Sequence, residues 1–367
     1  MAALVARVFK GKAFQTVLRR NFLIILRNLS SSQLYVENFG DPSLTLKKKM
    51  YELPSSLGPK EVIVQMIMAP INPSDVNMME GTYFVQPPLP AVMGNEGVGK
   101  VAKVGDEVRG LNVGDIIIPS DTAWGTWQTF KITSEEDVIK LPADISLLSA
   151  ATISVNPCTA YRMLKDYVDL KPGDVILQNG ANSGVGVSVI QLAREWNIRT
   201  INIVRDRPDF EKLKLKHSLT KLGADIVVTE EFVRTPQMKD LLKTYTSKPK
   251  LAFNCVGGQS ATELIRHLGQ RGVMVTYGGM SKRPVMAPTG ALIFKEVVLC
   301  GYWNTSWNRR HKNDINRLTM LSDLCNLIKS SKFEPPPCEF YSLDDYKSAI
   351  EKATEGFKGG KVVFKME

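Results

Sequence analysis

The chain has 367 residues, long enough for two cores, with 44% hydrophobic residues, 23% charged residues and a formal charge of +10. This is the composition of an ordinary globular protein and excludes a low-complexity or intrinsically disordered chain. The five cysteines (Cys158, Cys255, Cys300, Cys325 and Cys338) are widely spaced, odd in number and form no C-x-x-C, so neither a disulfide scaffold nor a zinc knuckle is suggested.

Much of the charge is local. Arg7, Lys10, Lys12, Arg19, Arg20 and Arg27 all precede the first acid, Glu37. Without those six the chain carries +4, too little to argue for a nucleic-acid partner. Phe14, Val17 and Leu18 recur at helical spacing, and Ser30-Ser31-Ser32 closes the stretch. An arginine-rich, acid-free, serine-bearing leader is the pattern of a mitochondrial presequence. Residues 1–32 are therefore expected to be removed on import and not to pack on the globular domains. A disordered basic arm or a short anchor is the alternative. The apolar run 22–26 is too short to span a bilayer, so no stable membrane insertion is expected.

Residues 45–145 read as β-rich. Residues 61–68 are apolar and extended. Short apolar pieces follow around Val98, Val101, Val104, Val108 and 116–118, punctuated by Gly97, Gly99, Gly105 and Gly114. Many short strands with glycine turns suggest a barrel-like module. Near Leu148 the pattern changes, and residues 150–164 look helical, with Pro157 as a kink or a restart.

Residues 174–209 are the most informative. The apolar run Val175-Ile176-Leu177 leads into a small-residue turn, 179–186, and then into a helical pattern through Val185, Val189, Ile190, Ala193 and Trp196. A second apolar run, 200–204, ends in Arg205-Asp206-Arg207. Strand, glycine turn, helix and strand make the unit that places a pyrophosphate on a helix N-terminus. A tight strand–helix connection without a ligand is the alternative. Asp206 sits roughly where an acid selects the 2′-hydroxyl of NAD, but it lies between two arginines. Forked guanidinium donors match phosphate oxygens, so the pair favours NADPH over NADH unless the run is merely a solvated surface.

Alternating strands and helices continue to about residue 300. The runs 251–256 and 272–277 both stop at a Gly-Gly pair, as needed where backbone passes a ligand at the carboxyl edge of a parallel sheet. The tail combines a helix at 318–328 with a final strand at 361–364 that is able to return to the first domain. The fold class is therefore α/β, a doubly wound parallel Rossmann sheet plus a β-rich barrel. The expected boundaries are a presequence at 1–32, a first domain at 33–154, the nucleotide-binding domain at 155–304, and a return to the first domain at 305–367. The histidines His217, His267 and His311 lie in charged or helical contexts, and no metal-ligand spacing occurs.

With these residues in hand, the chain resembles the medium-chain dehydrogenase/reductase superfamily. Residues 94–99 (Gly-Asn-Glu-Gly-Val-Gly), Val104-Gly105 and Val113-Gly114-Asp115 look like the signature of its GroES-like catalytic domain. Zinc-dependent members carry a histidine where Asn95 stands, a cysteine upstream and a four-cysteine lobe. Here no cysteine precedes Cys158, so the resemblance is to the zinc-free, quinone-oxidoreductase-like branch. Residues 71–77, Gly81-Thr82-Tyr83, 155–162, 205–208 and 276–280 are similar to mitochondrial trans-2-enoyl-CoA/acyl-carrier-protein reductases. That resemblance covers about residues 33–367. It implies NADPH-dependent reduction of the C2–C3 double bond of an enoyl thioester on acyl carrier protein or CoA. It also implies a place as the last step of mitochondrial fatty-acid elongation in the matrix, and a homodimer.

Carried over residue by residue, the resemblance implies Tyr83 as the catalytic residue. It implies cofactor contacts at Asn156, at Asn182, Ser183, Gly184 and Val185, at Arg205, Asp206 and Arg207, at Tyr277, Gly278, Gly279 and Met280, at Tyr302, Trp303 and Asn304, and at Lys361. Asn304 departs from the apolar residue expected after the aromatic pair. Enoyl reduction needs hydride at C3, a stabilised charge on the thioester oxygen and a proton at C2. Without zinc, a hydroxyl donor supplies the second, and tyrosine is long, rigid and protonated at neutral pH. An isolated tyrosine is otherwise a packed or surface aromatic. Phe84, Trp124, Trp303 and Trp307 are candidates for an acyl slot or for core. Arg309-Arg310-His311-Lys312 would suit a phosphorylated carrier or a solvated face. A zinc-free quinone or enone reductase and a non-catalytic NADPH-binding protein remain open beside the enoyl reductase.

Overall fold

The computed structural model describes residues 29–312, 314–355 and 360–366. They form two compact units: one of residues up to Ala143 together with those from Cys338 on, the other of Asp144–Pro337.

The first unit is organised by the strand Glu61–Pro70. It pairs antiparallel with Val98–Val104, Phe130–Ser134 and Lys361–Lys365, and it buries Val62, Val64 and Met66. β-Branched residues suit such a pleated, half-buried surface. A smaller sheet sets Ser30–Val36 between Lys47–Glu52 and Ala91–Val92. The core of the unit holds Leu34, Met66, Met78 and Met93 beside Trp127 and Phe364, whose rings meet edge to face at 5.2 Å.

The second unit contains a parallel sheet in the order Ile226–Thr229, Arg199–Val204, Val175–Gln178, Leu251–Asn254, Val273–Thr276, Val298–Gly301. The first strand in sequence is central. The chain builds outward on one side of it and then crosses to the other. Ile176, Leu177, Ile201, Ala252, Phe253, Met274 and Val275 are all buried, as required where helices cover both faces. This is the doubly wound arrangement, with a topological switch point between Val175–Gln178 and Leu251–Asn254.

Three expected boundaries shift. Residues 305–337 belong to the second unit, not to a return to the first: Tyr161 donates to Asp323 at 2.6 Å, Lys329 meets Asp144 at 2.6 Å, and Gln191 exchanges hydrogen bonds with the Glu334 backbone. The return is there, but it begins at Cys338 and includes the expected strand, Lys361–Lys365. Residues 144–154 likewise join the second unit. The helical stretch 150–164 is two helices, Leu147–Thr152 and Asn156–Asp166, and Pro157 restarts the second one in its first turn.

The leader expected at 1–32 lies outside the described residues as far as 28, but Ser30, Ser31 and Ser32 do not belong with it. They begin the strand Ser30–Val36. Ser31 is fully buried, with its Oγ donating to the Phe130 carbonyl at 2.7 Å and accepting from the Phe130 N–H at 3.0 Å. Ser32 is tied by its backbone to both the backbone and the side chain of Thr129. Among the described residues no helix is long and apolar enough to cross a membrane.

A chain starting at Leu29 should therefore be as stable as one carrying the leader. A chain starting at Gln33 should lose about 2–4 kcal/mol, several hydrogen bonds at ~1 kcal/mol each. Urea unfolding of the two truncations measures the difference, and equal midpoints would show the serines to be dispensable.

Candidate functional site

The second unit gathers its candidate residues at the carboxyl edge of the parallel sheet, around the switch point. From Gln178 the chain enters the 179–186 turn. Ser183 caps the helix Gly184–Glu195, its Oγ accepting from Gly186 N–H at 3.1 Å. Gly186 is required by space: a Cβ there would stand 2.5 Å from the Ala181 carbonyl oxygen. Gly180 adopts φ +58°, and a Cβ on it would meet the Cys255 sulfur at 2.5 Å. The Asn156 side chain lies against Gly184, so the first turn of Asn156–Asp166 reaches the same place. Helix N-terminal N–H groups project beyond such a turn and favour an anion.

Arg205, Asp206 and Arg207 follow the neighbouring strand. Asp206 accepts from the Glu231 N–H at 3.1 Å, and Arg207 Nε donates to the Arg205 carbonyl at 3.4 Å. Burial, then the like charge of Arg205, holds the Arg207 guanidinium below its ordinary range. On the other side of the switch point, Tyr277 N–H donates to the Asn254 carbonyl and Met280 N–H to the Cys255 carbonyl, which lays residues 277–280 across the end of Leu251–Asn254. Burial raises the Tyr277 hydroxyl well above its usual value, next to the Cys255 thiol and the Ser183 hydroxyl. Tyr302 is buried, and its hydroxyl donates to Asn304 Oδ1 at 2.9 Å, while Asn304 Nδ2 donates to the Ser154 carbonyl at 3.1 Å. The amide of Asn304 thus ties 302–304 to the segment just before Asn156. Trp303 precedes the helix Asn304–Arg310.

A set of buried amides and hydroxyls beneath this edge was not singled out from sequence. Asn179 Nδ2 donates to Asn254 Oδ1 at 2.8 Å and to Ser260 Oγ at 3.0 Å, and Asn179 Oδ1 accepts from Cys255 N–H at 2.8 Å. Asn254 Nδ2 reaches Thr276 Oγ1 at 3.1 Å. Three strand ends are therefore locked in register directly under the glycine turns.

The first unit holds Tyr83 and Lys361. Tyr83 is half-buried on the apolar core, in the loop after the helix Pro73–Met79, while Phe84 beside it is 86% exposed. The N–H groups of Thr82 and Tyr83 both donate to the Asn77 carbonyl, at 2.9 and 3.1 Å. Lys361, expected with the cofactor contacts, has its ammonium 2.6 Å from Asn72 Oδ1 and 4.0 Å from Glu96. Asn72 Nδ2 donates to Glu96 at 2.9 Å. Next to this group Asp75 accepts from the Asn72 and Asn95 N–H groups and from Asn95 Nδ2, at 2.7, 2.9 and 2.8 Å. Asp75 and Glu96 are fully buried. Trp124 and Trp307, candidates for an acyl slot, are buried: Lys131 lies over the first ring and His311 stacks on the second. Among the described residues no group of three His, Cys, Asp or Glu side chains is placed to hold a metal ion.

Residues 58–143 match the alcohol dehydrogenase GroES-like domain family, and residues 184–319 the zinc-binding dehydrogenase family. The chain is 48% identical over 341 residues to the mitochondrial enoyl-[acyl-carrier-protein] reductase of Xenopus tropicalis, covering 92% of this chain and 96% of that protein. It superposes with TM-score 0.85 on the solved complex of Etr1p with NADP and crotonyl-CoA, at 34% identity, covering 92% of this chain and all of the other. A mitochondrial 2-enoyl thioester reductase Etr1p/Etr2p heterodimer from Candida tropicalis gives TM-score 0.85 at 33% identity, with the same coverage.

Burial drives Asp75 from 3.8 up to about 7 against the pull of its N–H donors; Glu96 adds to the rise and Lys361 opposes it. The same burial pushes the Lys361 ammonium down, while Glu96, Asp75 and Cys338 pull it up. Between the ordinary carboxylate range and pH 7, the folded chain keeps a proton on Asp75 that the unfolded chain has released. Stability from this group is therefore greatest in acid, falls as pH rises to about 7 and is level above it. Asp75→Asn should remove that slope. Unfolding midpoints of both proteins at a series of pH values test this, and a difference constant with pH would contradict it.

Proposed function

We propose an activity for a chain that belongs to the mitochondrial enoyl-[acyl-carrier-protein] reductase family: NADPH-dependent reduction of trans-2-enoyl thioesters, on acyl carrier protein or CoA, to acyl thioesters. The observation that carries this reading is the glycine turn at the switch point with two arginines at the end of the next strand. Gly186 has no room for a Cβ, and Gly180 takes a left-handed backbone, so this turn is shaped for close approach. Arg207 is half-buried between the like charge of Arg205 and the opposite charge of Glu211, and its forked donors and those of Arg205 suit a phosphate dianion. These features suit the pyrophosphate and the 2′-phosphate of NADPH.

NADPH supplies the hydride for C3 of the substrate. The chain's own part is to bind and orient both reactants and to take up the charge that forms on the thioester oxygen. Tyr83 is the residue for that task. Its backbone is held by Asn77, its ring rests on the core, and a hydroxyl donor aimed at a developing oxyanion is typically worth ~10²–10³ in rate. Asn156, residues 182–185, 277–280 and 302–304 and Lys361 are the remaining cofactor contacts in this reading. The basic, acid-free leader and the mitochondrial relatives support action in the mitochondrial matrix, as the last step of fatty-acid elongation.

The test is NADPH oxidation by purified protein with crotonyl-CoA and, separately, with a quinone. Turnover of the enoyl thioester is expected. Arg205→Ala with Arg207→Ala should weaken NADPH by about 10- to 100-fold per arginine and NADH little, because only NADPH has the phosphate contact to lose. Turnover of the quinone alone would replace this reading with an enone or quinone reductase. Tight NADPH binding with no turnover of either would leave a binding protein.

The second unit also leaves an apolar face open. The strand Val298–Gly301 lies at the edge of the parallel sheet, with Val298 and Leu299 exposed. Met286, Leu292, Ile293 and Phe294 are exposed close by in sequence. An edge strand flanked by exposed apolar side chains is a pairing surface. A second copy of this chain, adding its own edge about a two-fold axis, covers it in a homodimer. Phe294→Glu with Val298→Lys should turn a dimer into a monomer in sedimentation equilibrium. A wild-type protein that sediments as a monomer at micromolar concentration would overturn the assignment.

A further inference from the structure

We propose that Asp75 is the positioning residue for Tyr83, acting through the helix Pro73–Met79. The inference rests on Tyr83 being the oxyanion donor. Asp75 occupies the third position of that helix, whose N-cap is Asn72. Its carboxylate takes three donors from two segments: Asn72 N–H on one oxygen, Asn95 N–H and Nδ2 on the other. The start of the helix is thereby bound to residues 94–96. The connection extends further, since Asn95 Oδ1 accepts from Ala123 N–H at 2.7 Å, and Asn72 Oδ1 accepts from Lys361 on the strand Lys361–Lys365. Four separate parts of the first unit thus meet at the N-terminal end of one short helix.

The other end of the helix carries the tyrosine. The Asn77 carbonyl receives the N–H groups of both Thr82 and Tyr83, and the Thr82 hydroxyl at 3.2 Å. Gly81 N–H donates to the Met78 carbonyl, and Gln86 Nε2 closes the loop on the Gly81 carbonyl at 2.7 Å. Seven helical residues span about 10 Å and are stiffened by their own backbone bonds. A rotation at the Asp75 end is transmitted to Tyr83 rather than absorbed between them. An error of ~1 Å in placing a catalytic group is enough to cost up to ~10² in rate.

Asp75→Asn keeps the size of the side chain but turns one acceptor oxygen into a donor that faces the Asn72 or the Asn95 N–H. At pH 8, where Asp75 is ionised, it should lower kcat about 10- to 100-fold with crotonyl-CoA, while leaving KM and NADPH affinity within about twofold. The decisive measurement is a double-mutant cycle. Placed on top of Tyr83→Phe, Asp75→Asn should cost less than about threefold more, because the group it positions is already gone. Losses that multiply in the double variant would overturn the inference while leaving Tyr83 in its role. A Tyr83→Phe variant with full kcat would overturn the Tyr83 assignment, and the inference with it. Should Asp75→Asn fail to fold, Asn95→Ala removes one donor to the same carboxylate and enters the same cycle, with the same two outcomes.

Discussion

A buried carboxylate needs donors, and in the first unit Asp75 finds them on two stretches of chain, the start of its own helix and residues 94–96. Taking a charge out of water costs several kcal/mol unless hydrogen bonds or an opposite charge compensate. Asp75 and Glu96 are both fully buried, with one ammonium, that of Lys361, among their partners. Apolar residues of the same volume would often be as stable. What they would not do is define a direction. Each N–H aimed at Asp75 fixes the angle of the segment that bears it, so the helix Pro73–Met79 has one orientation relative to the 94–96 turn, and the loop carrying Tyr83 inherits it.

The second unit solves a similar problem with neutral groups. At its switch point neighbouring strands end and their chains diverge, leaving backbone groups without ladder partners. Asn179 and Asn254 satisfy these groups from within, each side chain bonding to the other and to Cys255, Val256 or Gly257 N–H. A carboxylate at either place would carry a negative charge under the turn proposed to receive the cofactor phosphates; an amide does not. This is a physical reason for the polarity found there: charged where a fixed orientation matters, neutral where an anion is to bind.

The local parts of this design were legible in the sequence. The apolar runs, the 179–186 turn, the arginines at 205 and 207 and the two Gly-Gly pairs are short-range signals, and each sits where a strand of the parallel sheet ends. The braces were not legible, because Asn179 and Ser260 are 81 residues apart and nothing near either one announces the other. Asp75 stood within a recognised motif, yet its role depends on a partner 20 residues away. The helix Ile315–Lys329 was expected correctly but assigned to the wrong unit, since an apolar stripe says that a helix packs and not upon what. Ser30-Ser31-Ser32 read as the polar end of a leader because a hydroxyl satisfied across a sheet, as that of Ser31 is, is indistinguishable in sequence from a hydroxyl in water.

The strand Lys361–Lys365 lies far beyond Glu61–Pro70 in sequence, yet it pairs with it in the middle of the first sheet, Val363 opposite Pro70. A protein made or threaded through a pore from its N-terminus cannot complete that sheet until residues 361–365 have emerged. The Asp144–Pro337 unit is continuous in sequence and is free to fold ahead of it. The first unit waits meanwhile with the 61–70 strand lacking one neighbour, and must then close a loop of nearly three hundred residues, a slow, non-local step. The chain thus passes through a stage with one finished unit and one exposed strand edge, and it is there that chaperones have the most to protect.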